Sequence, residues 1–325
     1  MTVPLVSLGA IRRAADRVRG VARLTPLVPT STSDEWSHLW VKCENLQAIG
    51  AFKVRGAYNF LAALDPEERA RGVVTYSSGN HGQAVAFAAR RLGTSAVVVM
   101  PTTAAPIKVE GARALGAEVH FAGTVSIERQ AVAEAIQRER GLTIVPPFDH
   151  PEIIAGQGTI GLEVVEQQPA VTHVYVPMGG GGLISGVAAA IKGLRPEIRV
   201  IGVEPAGAPK MSASLAAGHP VTLDRVNSMA DGLLAVRPGD LNFAHVRSLV
   251  DETIQVTEQE IGDAVRFLAR HTKLLAEPSG VVSVAGARRL APAGSRGVHV
   301  AVVSGGNAEI EQIVELLAEG SKAAR

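Results

Sequence analysis

The sequence predicts an α/β protein with mostly parallel sheets covered by helices on both faces. Short apolar runs rich in β-branched residues alternate along the chain with segments of helical periodicity. Such runs suit strands buried on both faces, and strand–helix alternation implies right-handed βαβ crossovers. Ligands in this architecture bind at the carboxyl ends of strands, in loops that lead into helices. Those loops are the places to look for function.

Ser7 can cap a first helix with Ile11, Ala15 and Val18 on one face. VVTYSS (73–78), AVVVMP (96–101), AEVHFA (117–122) and LTIVPP (142–147) then read as buried parallel strands. Between them, HGQAVAFAARRLG and SIERQAVAEAIQRERG read as helices. The alternation resumes with HVYVPM (173–178), GLISGVAAAIKGL and IRVIGVE (198–204). TEQEIGDAVRFLARH opens on a capping-box pattern, Thr257 and Glu260. VHVAVVSGGN is a last strand and turn, and AEIEQIVELLAEG a last helix. No repeat, low-complexity tract or clear linker marks a boundary, although the first 150 residues could form one unit and the remainder another.

With 325 residues, 46% of them apolar and 19% charged, the chain can bury a substantial core. Its 32 basic and 31 acidic side chains leave a formal net charge of +1, which points to neither nucleic acid nor an anionic membrane as partner. A single cysteine, Cys43, excludes an internal disulfide, suits a reducing compartment and reads as a packed core residue. The N-terminus lacks a signal-peptide pattern, and no run reaches the ~20 apolar residues of a membrane helix. A soluble cytoplasmic protein is expected.

The stretch GAFKVRGAYN (50–59) sets Lys53 among small and apolar residues. Lys53 is either an ordinary charge at a helix start or an amine placed for chemistry. PMGGGGLISG (177–186) puts four glycines between a strand and a helix. Glycine lets backbone N–H groups approach an anion, and a helix N-terminus attracts one, so the loop reads as a phosphate cup. One or two glycines would suffice for a tight turn. The spacing is neither G-x-G-x-x-G nor a P-loop. YSSGNHGQAV (76–85) would suit a carboxylate or a ring oxygen; the plainer reading is a helix start capped by Ser78 or Asn80, with His81 structural. VVSGGNAE (302–309) offers either the Ser304 hydroxyl to a ligand or a turn capped by Asn307. The nine histidines form no H-E-x-x-H or Cys/His cluster, and no G-x-S-x-G elbow marks a serine hydrolase.

Taken together, the lysine flanked by small residues, the Ser/Asn loop, the tetraglycine loop and the late SGGN turn resemble the fold-type II pyridoxal-phosphate enzymes. Within them the chain looks most like the threonine/serine dehydratase and serine racemase group. The resemblance runs from RLTPLV (23–28) through KCENLQAIGAFKVRGA (42–57) and IIAGQGTIGLE (153–163) to SGGN (304–307). It implies a two-domain, tryptophan synthase β-like fold. Residues 1–71 and 150–325 would form a large cofactor-binding domain and 72–149 a small domain closing on substrate. It also implies pyridoxal 5'-phosphate as cofactor, a small hydroxy amino acid as substrate, and a homodimer. Lys53 would form the Schiff base, with Phe52 beside it. Gly179, Gly180, Gly181 and Gly182, with the Leu183 N–H, would bind the phosphate. Asn80 would meet the phenolic oxygen and Ser304 the pyridine nitrogen. Ser77, Ser78, Asn80 and His81 would surround the substrate carboxylate.

The implied chemistry is coherent at the level of the residues. Lysine is nucleophilic only when neutral, and burial lowers its pKa. A hydroxyl at the pyridine nitrogen stabilises a carbanion less than a carboxylate would, which favours prompt loss of a β-substituent over transamination. Lys53 would remove the α-proton as general base. Threonine would give 2-oxobutyrate and ammonia, and serine would give pyruvate and ammonia. Ser78 stands where many biosynthetic threonine dehydratases have alanine and serine racemases a catalytic serine. Ser78 therefore either binds the carboxylate or caps the helix, or serves as a second acid/base. The related activities are serine racemase and 3-hydroxyaspartate dehydratase. A non-catalytic ligand-binding protein on this scaffold is the alternative from another class. In VEPAGAPKMSAS (203–214), Glu204 and Ala208 match a divalent-cation site of the group, but Lys210 replaces its aspartate. No metal is expected, with Lys210 standing in for the cation's charge. The chain ends soon after SGGN, so insensitivity to isoleucine is also expected.

Overall fold

The computed structural model describes residues 4–31, 35–77, 79–104, 106–124 and 126–322. Its strands are β1 Leu27–Pro29, β2 Leu39–Cys43, β3 Val73–Tyr76, β4 Ala96–Met100, β5 Glu118–Phe121, β6 Thr143–Ile144, β7 His173–Pro177, β8 Arg199–Pro205, β9 Glu252–Val256 and β10 His299–Val303. Its helices are α1 Leu8–Val18, α2 Lys53–Ala63, α3 Pro66–Arg71, α4 Asn80–Leu92, α5 Pro106–Ala114, α6 Ser126–Arg140, α7 Pro151–Gln167, α8 Gly182–Leu194, α9 Lys210–Ala217, α10 Asp240–Leu249, α11 Glu258–Thr272, α12 Pro278–Leu290 and α13 Ile310–Lys322.

Two sheets result. The six-stranded one has the order β1-β2-β10-β7-β8-β9 and is parallel apart from the β1–β2 pair. The four-stranded one has the order β5-β4-β3-β6 and is wholly parallel. Strand periodicity divides the larger sheet's side chains between two cores. Leu39, Val41, Tyr175, Val203 and Ala301 face a cluster with α11, α12 and α13, while Val174, Val176, Val200 and Val302 face one with α7, α8 and α10. The smaller sheet does the same, with Val73, Val98 and Met100 toward α4 and Val74, Val97 and Val99 toward α6. Helix α2 packs on α4 and shares that cluster.

The predicted fold class and the seven predicted strands are present, with differences that have local causes. β6 is only two residues long, because Pro146 and Pro147 follow within three residues and cannot donate to a ladder. β5 is an edge strand with exposed residues at both ends and is not buried on both faces. Strands β1, β2 and β9 carry no clean apolar run. Ser7 does cap α1, accepting from Ala10 N at 3.2 Å, but Ala14 is the residue buried with Ile11 and Val18, and Ala15 is half-buried. The Thr257–Glu260 capping box is present in full.

Helix α7 is the spacer that sets the site. Its Gly156 lies against the α2 backbone, where an added Cβ would come 2.6 Å from Arg55 O. Two residues on, Gly158 meets Gly186 of α8, where a Cβ on either would press on the other's backbone. Larger side chains at these crossings would push apart the two helices that carry Lys53 and the glycine loop.

Candidate active site

Lys53 opens α2, and its loop is fastened directly to the SGGN turn that follows β10. Ala51 bridges Gly305, Phe52 N–H donates to Ser304 O at 3.0 Å, and Gly306 N–H donates to Gly50 O at 2.8 Å. Gly50 has a φ of +71°, and a Cβ there would strike the Asn307 side chain. Lys53 and the nearly buried Ser304 are thus held together at the carboxyl end of the larger sheet. The Lys53 amine donates to Pro147 O at 2.7 Å and lies 5.2 Å from the centre of the Phe52 ring. No carboxylate pairs with it among the described residues. The residue as a whole is half-buried, but its amine is closely surrounded, and burial pulls it down to about 8.

The glycine loop follows β7. Gly181 takes φ +104° as the cap of α8, and no side chain caps that helix. Its first backbone N–H groups and the helix dipole therefore form a cradle for an anion. Phe148 supports the loop from behind: a Cβ on Gly180 would sit 2.5 Å from its ring, and one on Gly182 would sit 3.0 Å from its carbonyl. Gly180 O accepts from Gly239 N at 3.1 Å and Asn242 Nδ2 at 3.2 Å. The protein's own contacts thus hold the loop from behind. Leu183 is the second residue of α8. Phe148 also follows the proline that receives the Lys53 amine, so one short segment touches both.

The loop after β3 completes the cleft. Gly79 takes the cap position of α4, with Asn80 the first helical residue, and no side chain caps the helix among the described residues. Ser78 lies outside the described residues. Ser77 Oγ accepts from Gly79 N at 3.2 Å. Buried His81 places Nε2 3.3 Å from Val145 O and leaves Nδ1 without a partner among the described residues. Burial, with Lys53 nearby, drives it down to about 3, so it is a neutral imidazole. Asn80 donates to Glu277 Oε1 at 2.6 Å and accepts from Asn307 Nδ2 at 2.9 Å. Asn307 does not cap α13, which begins at Ile310.

Several residues here escape sequence reasoning. Glu277 precedes a proline and reads as an ordinary helix-capping acid, yet it is buried and pushed up to about 7, chiefly by burial. Lys108 reads as a surface lysine of α5 but is buried over Gly79 and ion-paired with Asp231. Only the fold brings these groups together.

The predicted Glu204, Ala208 and Lys210 group also forms. Fully buried Lys210 donates to Ala208 O at 2.9 Å, Leu233 O at 2.8 Å and Met178 O at 3.0 Å, and stands 3.7 Å from Glu204. Burial lowers its amine to about 8 against the pull of Glu204. Glu204 also accepts from Met211 N and Ser212 N, both at 2.9 Å. Because Met178 begins the glycine loop, Lys210 anchors that loop's root.

Behind Lys53 lies a second set of buried charges. Arg55 donates to both Glu44 oxygens at 2.8 Å and to Glu163 at 2.6 and 2.9 Å. Lys42 donates to Glu163 at 2.5 Å and to Thr25 O at 2.7 Å.

A family profile described as "Pyridoxal-phosphate dependent enzyme" matches residues 18–305. The chain is 44% identical to an L-threonine ammonia-lyase of Thermotoga maritima, over 97% of this chain and 79% of that one. It is 41% identical to a serine racemase of Oryza sativa subsp. indica, over 95% and 93% of the two chains. The structure of maize serine racemase superposes with a TM-score of 0.90 at 37% identity, covering 99% of each chain.

Proposed function

The chain belongs to the pyridoxal-phosphate-dependent enzyme family, and on that premise we propose that it converts L-threonine or L-serine to a 2-oxo acid and ammonia. The observation that carries this reading is the Lys53 amine. It is buried near neutrality without a carboxylate partner, and it shares a cleft edge with Ser304 and a ready-made anion cradle.

The residues present fit pyridoxal 5'-phosphate. Gly179 to Gly182 and the Leu183 N–H would hold its phosphate, Asn80 its phenolic oxygen and Ser304 its pyridine nitrogen, with Phe52 alongside. Bound there, the cofactor supplies an electron sink for charge developing at the substrate's α-carbon. Lys53 Nζ serves first as the attachment point and, once freed, as the base that takes the α-proton. Uncapped α4 and the Ser77, Ser78 and Asn80 loop receive the substrate carboxylate through N–H and hydroxyl donors. Neutral His81 adds an uncharged ring nitrogen beside it. The α-proton and the β-hydroxyl depart overall as one water, and the resulting enamine tautomerises to an imine that a second water hydrolyses to the 2-oxo acid and ammonia.

In the same reading, residues 1–71 and 150–325 hold the cofactor and 72–149 close on substrate. The four-stranded sheet lies wholly within 72–149, which supports that division. A cytoplasmic homodimer belongs to the proposal as well; a lone buried cysteine is compatible with a reducing compartment. Among the described residues, no helix is long and apolar enough to cross a membrane.

The test is proton NMR in D₂O of holoenzyme with L-threonine, L-serine or 3-hydroxyaspartate, plus a chiral assay of remaining serine. Release of 2-oxo acid from threonine or serine is expected. α-Deuterated D-serine without 2-oxo acid would reassign the chain as a racemase, the activity named for its rice relative. Turnover of 3-hydroxyaspartate alone would move the substrate.

A further inference from the structure

Asn80 sits between two groups that nothing in the reaction outlined above uses. Its amide is nearly symmetrical in shape, so sterics alone would let nitrogen and oxygen exchange places. The hydrogen bonds do not allow it. Asn307 Nδ2 donates to Ile49 O at 2.8 Å, and a backbone carbonyl can only accept. That fixes the Asn307 amide, whose same nitrogen also donates to Asn80 Oδ1 at 2.9 Å. Asn80 Nδ2 is thereby turned to Glu277 Oε1, at 2.6 Å. A polarity set by the Lys53 loop is passed through two amides to a buried carboxyl, and one Asn80 amide hydrogen is left without an acceptor among the described residues.

We propose that Asn307 and Glu277 are positioning residues that lock the Asn80 amide with a hydrogen-bond donor free for the oxygen of a bound cofactor, and that Glu277 gives this edge of the cleft a titratable proton. The proposal rests on the reading of Asn80 as a cofactor contact. Glu277 is 2% exposed, and its Oε2 has no partner among the described residues, which suits a neutral acid. The charged groups facing it are Lys108 of α5 and Asp231 of the loop before α10, which pair with each other and act on Glu277 in opposite senses. Burial therefore dominates, and the carboxyl titrates near 7. Gly305 leaves the room: a side chain there would collide with Glu277 Oε1.

Two variants separate the parts. Asn307→Asp replaces the donor with a carboxylate facing two acceptors and should turn Asn80 over. Its dissociation constant for pyridoxal phosphate, from absorbance titration of apo-protein, is expected to rise roughly fivefold or more, the worth of a hydrogen bond. Glu277→Gln keeps an acceptor for Asn80 but cannot titrate. Cofactor affinity should stay within about twofold of wild type, and the wild-type holoenzyme spectrum should show an inflection near pH 7 that this variant lacks.

A third readout needs no cofactor. Glu277 has a folded pKa above its unfolded one, so its stability contribution is full below about 4.5 and fades as pH rises through about 7. Glu277→Gln apo-protein should therefore gain melting temperature over wild type progressively from pH 5 to 8. Wild-type affinity in Asn307→Asp, or a retained inflection and a pH-independent melting difference in Glu277→Gln, would overturn the proposal. A wild-type protein that takes up no pyridoxal phosphate would overturn the functional reading and this one with it. Uptake by wild type with both variants unaltered would overturn this one alone.

Discussion

Lys53 and Arg55 stand two residues apart at the start of one helix, and the protein treats their charges in opposite ways. The Arg55 guanidinium is fully buried between two carboxylates, with a second cation, Lys42, on the far side of Glu163. Every charge in that cluster is matched. The Lys53 amine, on the cleft side, has among the described residues only the Pro147 carbonyl and the Phe52 ring. Paired burial fixes a structure, because each charge is compensated where it sits. Unpaired burial tunes a reagent, because the only way to relieve the cost is to lose the proton. The paired set holds α2, β2 and α7 in place so that the unpaired amine can be presented at one spot.

The contrast can be broken most sharply at Lys53. Lys53→Met should lower 2-oxo acid release by roughly 10³-fold or more, the usual worth of a positioned base before any loss of covalent attachment is counted. The melting temperature of the apo-protein should not fall, since an uncompensated buried amine has been replaced by an apolar chain of similar length. A variant that keeps turnover, or that melts as early as the Arg55 variant described next, would erase the distinction.

Arg55→Met is the converse. It leaves buried Glu44 without its cation and Glu163 with Lys42 alone, and breaking a buried pair in this way costs about 3–5 kcal/mol. Chemical denaturation of the apo-protein should show a loss of that order. Replacing Arg55, Glu44, Glu163 and Lys42 together by apolar residues should recover part of it, because no charge of the cluster is then stranded. A loss confined to the single variant would mark the cluster as a device for holding α2 in register and not as a source of net stability.

This difference explains what was legible in the sequence. The glycine loop stood out because it lies between a strand and a helix, where the order of residues is itself the signal, whereas Lys53 and Ser304 took their expected roles only from the resemblance of the four ordered motifs. The parallel strands of the core were legible from their apolar runs. Lys42 and Glu163 were not, since each lies in an element whose own pattern gives no reason for a charge, and their partners are far away in the chain. Strand β2 was missed for the same cause: Lys42 interrupts LWVKC, and its burial depends on Glu163 arriving from α7. Glu277, Asn307, Lys108 and Asp231 likewise acquire meaning only where two sheets bring them together. Ser304 and Lys53 were readable as separate motifs, but the bridge that joins them, Ala51 to Gly305, was not.

The smallest effect, and the finest test of unpaired burial, is in the pH dependence of cofactor capture. Attachment needs the neutral amine, and burial places Lys53 at about 8 instead of the usual 10.5. Below about 8 the neutral fraction falls with each proton gained, and it is about fivefold lower at pH 7 than at pH 8. The rate at which apo-protein forms its visible band with pyridoxal phosphate should rise accordingly and level off above about 8.5, with correction for the cofactor's own titration by a free-amine control. Stability should follow the same group with the sign that a lowered lysine requires. The unfolded chain binds more protons than the folded one between about 8 and 10.5, so the Lys53 contribution makes the apo-protein more stable as pH rises through that window. Lys53→Met should remove both trends. If capture by the wild type instead kept rising with pH toward 10.5, the amine would be as exposed and as basic as any surface lysine, and the two ends of this helix turn would differ in their neighbours but not in their chemistry.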